Sequence, residues 1–389
     1  MYCRCRDSQS VFINMQQNNS VSISLLLLFL VTTLLLAGLL FVSSASTETS
    51  LAYFGTPFNY FIKHSIYLIL GISLAFLIMT IPINVWYNFS YLFLLLAIIL
   101  LIAVFVPGLG KSVNGASRWL DLVFLQIQAS EVSRLLLIIY ISAYLYRHEH
   151  NISQRLSVVM QPLLILTIIG ILLILEPDFG SLILLCVTVL AMLFIAGMRV
   201  SNFVIILSLL GIIAVCAIVF SPYRIQRVQT LLDPWSSQFD GGYQIVQALI
   251  ALGNGNWIGQ GLGNSIQKFS YLPEAYTDFI FSVIVEEIGV IGGIAIILIY
   301  LLMIVKILFI AKVAYLREKV FASFLVYGIG IAFSCQVFFN IGVAIGILPT
   351  TGMPLPLISY GGTSLIVNCI AIALVIRADI ENNQKELLV

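Results

Sequence analysis

Tyr271-Leu-Pro-Glu-Ala-Tyr-Thr-Asp278-Phe-Ile-Phe-Ser-Val-Ile-Val-Glu286-Glu287 decides the reading of this chain, because a polar approach runs straight into an apolar segment that carries carboxylates. Asp278 stands at the mouth of that segment, and Glu286 and Glu287 fall about two helical turns deeper. Ionisable groups are costly within hydrocarbon, and where they persist they face a polar cavity and mark a working site. An aspartate at a helix start also suits an N-cap and the helix dipole, so a structural role for Asp278 competes with a functional one. The surrounding chain weighs between the two.

The 389 residues are 61% hydrophobic and 9% charged, whereas soluble domains carry about 25% charged residues. This is the composition of a polytopic membrane protein. A net charge of +1 leaves no basic footprint for nucleic acid. Cys186, Cys216, Cys335 and Cys369 lie in apolar runs, and Cys3-Arg-Cys5 has neither zinc-finger nor thioredoxin spacing, which argues against a disulfide framework. The three histidines are scattered and form no metal constellation.

Apolar runs long enough to cross about 30 Å of hydrocarbon as helix fall at 21–44, 62–81, 91–107, 131–146, 160–175, 181–198, 202–220, 279–305, 321–347 and 358–376. The first exceeds a signal-peptide core of about 7–15 residues and is read as a retained span. These runs predict an all-α integral membrane protein of about ten spans: a tail at 1–20, one membrane domain over 21–376 and a tail at 377–389. With the N-terminus inside, Arg4, Arg6, Arg147, Arg155, Arg199, Lys306, Lys312, Arg317, Lys319, Arg377 and Lys385 fall on the cytoplasmic side. The positive-inside rule therefore places both termini in the cytoplasm. One large extracytoplasmic loop, about 221–277, joins spans seven and eight. No clean internal repeat appears, which weakens an inverted-repeat transporter.

The polar residues crowd the outer face. Lys111, Arg118, Glu131 and Arg134 gather at the head of the fourth span. Glu131 and Arg134, three apart, can pair on one helix face, and Arg134 lies a turn into an apolar run where a cation needs a partner or a polar cavity. Glu176 and Asp178 flank Pro177 in a tight turn, either solvated or orienting nearby cations. The run Gly253-Asn-Gly-Asn-Trp-Ile-Gly-Gln-Gly-Leu-Gly-Asn264 mimics a dinucleotide fingerprint, but the spacing is wrong and no strand–turn–helix unit surrounds it. It suits either a flexible surface loop or a ligand-binding one, with Arg224, Arg227 and Lys268 available to offset phosphate charge. Pro349 to Ser364 is broken by three prolines and three glycines, as backbone shielded at membrane depth can be. Its Ser359-Tyr-Gly361 lacks the leading glycine of a nucleophile elbow.

Five motifs in order then carry a resemblance: Asn114-Gly-Ala-Ser-Arg-Trp119, Gln128-Ala-Ser-Glu131, Glu176-Pro-Asp-Phe-Gly180, Tyr271 to Phe281, and Pro354-Leu-Pro-Leu-Ile-Ser-Tyr-Gly-Gly-Thr-Ser364. Together they resemble the SEDS family (shape, elongation, division and sporulation) over about residues 20–380. Gly259 to Lys268 and Pro273-Glu-Ala275 are most similar to its division branch. The chain departs from the family's pattern at Ala129 (usually Pro), Arg134 (usually Lys), Glu176 (usually Gln) and Tyr276 (often His). Arginine keeps the charge but not the compact ammonium, which puts the contact of Arg134 in doubt.

The resemblance implies a peptidoglycan glycosyltransferase that polymerises lipid II, the undecaprenyl-pyrophosphate-linked disaccharide peptide. It would act in septal wall synthesis at the outer face of the bacterial cytoplasmic (inner) membrane. Implied partners are a class B penicillin-binding protein transpeptidase and other divisome membrane proteins. Asp278 aligns with the family's essential aspartate and is the expected general base, and Lys111, Arg118, Glu131, Arg134 and Asp178 align with charged residues the family needs. Lys268, Ser359, Gly361 and Gly362 complete the expected substrate-binding set. No cofactor is demanded; carboxylates near a pyrophosphate would suit a divalent cation, though no ligand set requires one. A lipid II flippase, an elongation-type polymerase and a non-catalytic scaffold remain the alternatives. Glu286 and Glu287 are either a buried structural pair or part of the cavity wall.

Overall fold

The computed structural model describes residues 4–383 except 114–115, 123–124, 153–154, 221, 240 and 270. Side chains are described from residue 25 onward, apart from those of 112–117, 122–125, 214, 217–218 and 222–224. Asn114 and Gly115 of the first motif, Lys385 and the side chain of Arg224 thus lie outside the described residues. The helices are α1 (Arg4–Phe54), α2 (Asn59–Thr80), α3 (Ile83–Asn88), α4 (Ser90–Ala103), α5 (Ala129–Arg147), α6 (Leu156–Leu175), α7 (Phe179–Ile195) and α8 (Val200–Val219). They continue with α9 (Pro222–Leu232), α10 (Tyr243–Asn254), α11 (Ile280–Leu316), α12 (Val320–Ala344) and α13 (Gly362–Asn383).

Among the described residues seven helices are long and apolar enough to cross a membrane, namely α1, α2, α5, α6, α11, α12 and α13. The shorter apolar helices α4, α7 and α8 stand where the other three spans are expected. At the centre is α5, buried on every side from Ala129 to Leu145 except for the partly exposed Val132. A helix buried all round has no solvent face to offer and becomes the pillar on which others pack, and the charges within its buried stretch, Glu131 and Arg134, are paired with each other. Helices α4, α12, α7 and α13 pack against it, while α2 packs on α13 and α1 on α11. By contrast α8 is exposed along most of its length and touches the bundle mainly through α7.

Boundaries shift where polar side chains are satisfied locally. Past residue 44, α1 continues to Phe54, because Ser43 and Thr47 donate to the carbonyls of Leu40 and Ser43, each at 2.7 Å. Beyond 305, α11 continues as an apolar stripe of Met303, Ile307, Ile310, Ala311 and Ala314, all buried. Lys306 and Lys312 tolerate this because long cationic side chains reach water from an apolar stem. The last helix starts at Gly362 rather than 358, since Pro354 and Pro356 keep the approach out of the helix.

The first outward loop adds a small antiparallel sheet to the helical architecture, β1 (Gly110–Val113), β2 (Ala116–Leu122) and β3 (Leu125–Gln128) in the order β1-β2-β3. Lys111 pairs with Trp119, which pairs with Gln128. Thr363 of α13 ties the sheet down: its hydroxyl accepts from Gln128 N at 3.1 Å and donates to Gln126 O at 2.9 Å. The long loop is structured as well, by α9 and α10.

Candidate active site

Asp278 caps nothing. The residue preceding α11 is Phe279, and no side chain caps that helix. Its backbone, however, is clamped from three directions. Asn340 of α12 donates to Asp278 O at 2.8 Å and to Met353 O at 2.7 Å. Ser359 donates to Thr277 O at 2.6 Å and accepts from Leu355 N at 2.7 Å. Tyr360 N donates to Tyr276 O at 3.0 Å. The Pro/Gly-rich turn is thereby stitched onto residues 276–278. Gly352 lies against the carboxyl: a Cβ there would stand 3.6 Å from Asp278 Oδ2, and its φ of +71° suits glycine. Among the described residues the Asp278 carboxyl has no hydrogen bond or ion pair. Burial pushes its pKa up to about 7; Glu274 adds to the rise, and Arg118 and Arg227 oppose it.

Two loops deliver those arginines. From β2, Arg118 donates to Glu176 O at 3.4 Å and to Pro177 O at 2.5 Å. Among the described residues no carboxylate pairs with it, so its charge is held in place but not neutralised. From α9, Arg227 donates to Thr350 O at 2.5 Å, two residues from Gly352. Gly180 lets the α6–α7 turn meet this segment closely, since a Cβ there would come within 2.9 Å of Thr351 O.

Beneath them the remaining charges are mutually committed. Asp178 caps α7, with Oδ1 accepting from Ser181 N at 3.3 Å and Oδ2 from the hydroxyls of Ser181 and Ser130 at 2.7 and 2.8 Å. Glu131 and Arg134 form a buried ion pair at 2.5 Å. Arg134 also lines a small cavity between α5, α12 and α13, with Gln336 and Asn368 as its other polar walls. Glu176 is fully buried and neither carboxyl oxygen has a partner. Burial pushes its pKa up to about 8, Asp178 adds to the rise and Arg118 opposes it, so this carboxyl is largely protonated at neutral pH.

The chain as a whole has counterparts among known proteins. The FtsW/RodA/SpoVE model, described as a cell cycle protein, matches residues 24–384. The chain belongs to the FtsW/RodA/SpoVE family. It is 44% identical over 344 residues to the probable peptidoglycan glycosyltransferase FtsW of Coxiella burnetii, covering 88% of this chain and 92% of that one. The corresponding Legionella pneumophila protein is 42% identical over 358 residues, covering 91% and 90%. In fold the chain is similar to a chain from a peptidoglycan synthase complex that coordinates polymerization and crosslinking, with TM-score 0.77, 26% identity and coverage of 92% and 98%. The rod shape determining protein RodA of Thermus thermophilus gives TM-score 0.67 at 25% identity, covering 92% and 97%.

Within this family member the expected site residues separate into groups. Asp278, Arg118, Ser359 and the turn bearing Gly361 and Gly362 converge, and Gly362 gives Tyr67 room, since a Cβ there would meet its ring at 2.7 Å. Lys111 stands at the edge, half-exposed and 3.5 Å from Asp121. Lys268, expected among the substrate contacts, has its ammonium elsewhere: it is buried against Glu287 at 3.1 Å, Ser44 Oγ at 2.9 Å and Gly263 O at 2.5 Å. Sequence reasoning missed Asn340, although Gln336 and Asn340 are two amides one turn apart inside an apolar run. It also missed Tyr60 of α2, whose ring lies 4.7 Å from Tyr276 and 5.2 Å from Tyr360. No signal marked that tyrosine among the 17 in the chain.

Proposed function

We propose that the chain polymerises lipid II by inverting glycosyl transfer, with Asp278 as general base. The observation that carries this reading is the Asp278 carboxyl itself. It is partly buried, its backbone is clamped by α12 and the Pro/Gly-rich turn, and it has no partner among the described residues, while Asp178, Glu131, Glu286 and Glu287 are bonded and the equally unpartnered Glu176 is held protonated. A base must be held in place and still have a lone pair to give, and a pKa of about 7 suits proton removal near neutral pH.

The chemistry follows in one displacement. An acceptor GlcNAc hydroxyl gives its proton to Asp278 and attacks the donor's anomeric carbon, and the lipid pyrophosphate departs. Arg118, held by two carbonyls and unpaired with any described carboxylate, supplies positive charge to the leaving group, with Arg227 beside it. Arg134 and Lys111 are further cations at the depth and the rim of the same region. An α-linked donor then yields a β-linked strand, without the covalent intermediate that retention requires. We place the reaction at the outer face of the bacterial inner membrane during septal wall synthesis. A class B penicillin-binding protein cross-links the product within the divisome.

Purified protein, alone and with its penicillin-binding protein carrying an inactivated transpeptidase, is given lipid II and compared with Asp278→Asn. Polymer from wild type only is the expected result. If neither protein makes polymer while wild-type vesicles translocate lipid II, the chain is a flippase and the proposal is wrong.

A further inference from the structure

Helix α11 is broken at Gly289, where φ is 76° and ψ is 175°. An intact helix would bond Val290 N to Glu286 O and Ile291 N to Glu287 O. At membrane depth, four orphaned groups of this kind need other partners. The loop after α10 provides all four. Gln260 N donates to Glu286 O at 2.9 Å and Gly261 N to Glu287 O at 3.0 Å. On the other side of the break, Val290 N donates to Asn256 O at 2.9 Å and Ile291 N to Trp257 O at 3.3 Å. The approach is so close that a Cβ on Gly255 or Gly259 would fall 2.2 Å from a carbonyl oxygen of α11.

The side chains at the break repeat the connection. Glu286 accepts from Ser265 Oγ at 2.5 Å, Gln267 N at 3.3 Å and Asn254 Nδ2 at 3.3 Å. Glu287 accepts from Lys268 Nζ at 3.1 Å and from Ser44 Oγ of α1 at 2.5 Å. Glu286, Glu287, Ser265 and Lys268 are all buried. Only the short segment Phe279 to Val285 separates Glu286 and this junction from Asp278.

We propose that residues 254–268 act as a splint that completes α11, and that Lys268 and Glu287 are positioning residues for Asp278. The splint replaces the helix's own hydrogen bonds, and the buried Lys268–Glu287 pair locks it to the segment that ends at the base. This rests on the reading of Asp278 as that base. Displacing a catalytic group by about 1 Å can cost about 100-fold in rate, so a slack splint acts on turnover rather than on substrate affinity.

The test compares Lys268→Met, Glu287→Gln and the double variant, which removes both charges together. Lipid II polymerisation gives kcat and KM, and amide hydrogen exchange is followed across the chain. Each single variant is expected to lose about 10- to 100-fold in kcat with KM within about threefold. Exchange should quicken over 254–268 and 279–291 while the α5 core keeps its protection. The double variant, with no unpaired buried charge, should recover to within about threefold of wild-type kcat. A rise in KM alone for Lys268→Met overturns the proposal by making Lys268 a substrate contact. So does a double variant no better than the singles, or exchange that rises across the whole bundle. Absence of polymer from wild type would sink the functional reading instead, and the exchange pattern would still report on the splint.

Discussion

Asp278→Asn should make the protein more stable and inactive at once. The substitution keeps volume and shape and removes the charge. In the folded chain the carboxyl is raised from 3.8 to about 7, because burial disfavours the ionised form. Folding therefore favours its protonated state, and the contribution is fully present below the unfolded-state pKa. It is lost as pH rises through about 7. At 1.36 kcal/mol per pKa unit the shift corresponds to about 4 kcal/mol at alkaline pH. The residue keeps partial exposure, so solvent screening brings the expected gain for the neutral amide down to about 1–3 kcal/mol. The assay is thermal unfolding in detergent at pH 4 and pH 8.5. Asparagine should raise the midpoint at the higher pH and do little at the lower one. Loss of a positioned general base should cost about 10²–10⁴ in turnover. A variant that is inactive because it unfolds more easily at pH 8.5 would refute the reasoning, as would one that keeps wild-type polymerisation.

The same electrostatics predict the pH profile. Turnover should climb with pH and level off above about 7, where Asp278 is ionised. Glu274→Gln removes a charge that raises this pKa and should move the rising limb to lower pH. Arg118→Gln removes one that lowers it, so the limb should move higher while turnover falls; an unmoved limb in both variants would show that Asp278 is not the titrating base. Ser359→Ala leaves Thr277 O and Leu355 N without their partner and should cost about 1–3 kcal/mol in unfolding experiments, with a fall in kcat because the freed carbonyl adjoins Asp278. Lys111→Ala breaks a half-exposed pair and should change stability by less than about 1 kcal/mol; a raised KM for lipid II would place the ammonium on the substrate.

What could be read in advance divides along physical lines. Hydrophobic length is a local property, so all ten expected spans have helices; apart from the break at Gly289 inside the eighth, their ends move where serine and threonine bond back to their own helix or a lysine stem extends an apolar stripe. Asp278 stood out in the sequence because a carboxylate entering an apolar run is improbable without a cause. Its partners were not equally legible. Arg118, Arg227, Asn340 and Ser359 come together from four separate segments, and no spacing encodes that meeting. The sheet at 110–128 escaped because its strands are short and its polarity resembles any surface loop. Lys268 shows the limit most clearly. In the sequence it is a cation in a glycine-rich loop, as fit for phosphate as for a carboxylate, and only the fold brings Glu287 to it across 19 residues.

The distribution of polar groups along the bundle bears on polymerase versus flippase. The small cavity at Arg134 has Gln336 and Asn368 as its other polar walls, and Arg134 is paired there with Glu131. Beyond Arg134, α5 runs as Leu135-Leu-Leu-Ile-Ile-Tyr-Ile141, buried throughout against its neighbours. At the far end most of the charges have partners, although Asp379 Oδ2 is buried without one. Arg377 pairs with Glu381 at 2.8 Å, Glu381 also accepts from Ile83 N at 2.9 Å, and Arg317 bonds Asn383 at 3.0 Å. Lys319 donates to the carbonyl of Glu381. Moving a charged headgroup across the bilayer requires a site open in turn to each face, and here the buried apolar stretch Leu135 to Ile141 of α5 follows directly on the Glu131–Arg134 pair. Polymerisation asks for less, because donor and acceptor both reach the reactive centre from the outer side. That one-sided distribution of polar groups weighs for polymerisation over transport.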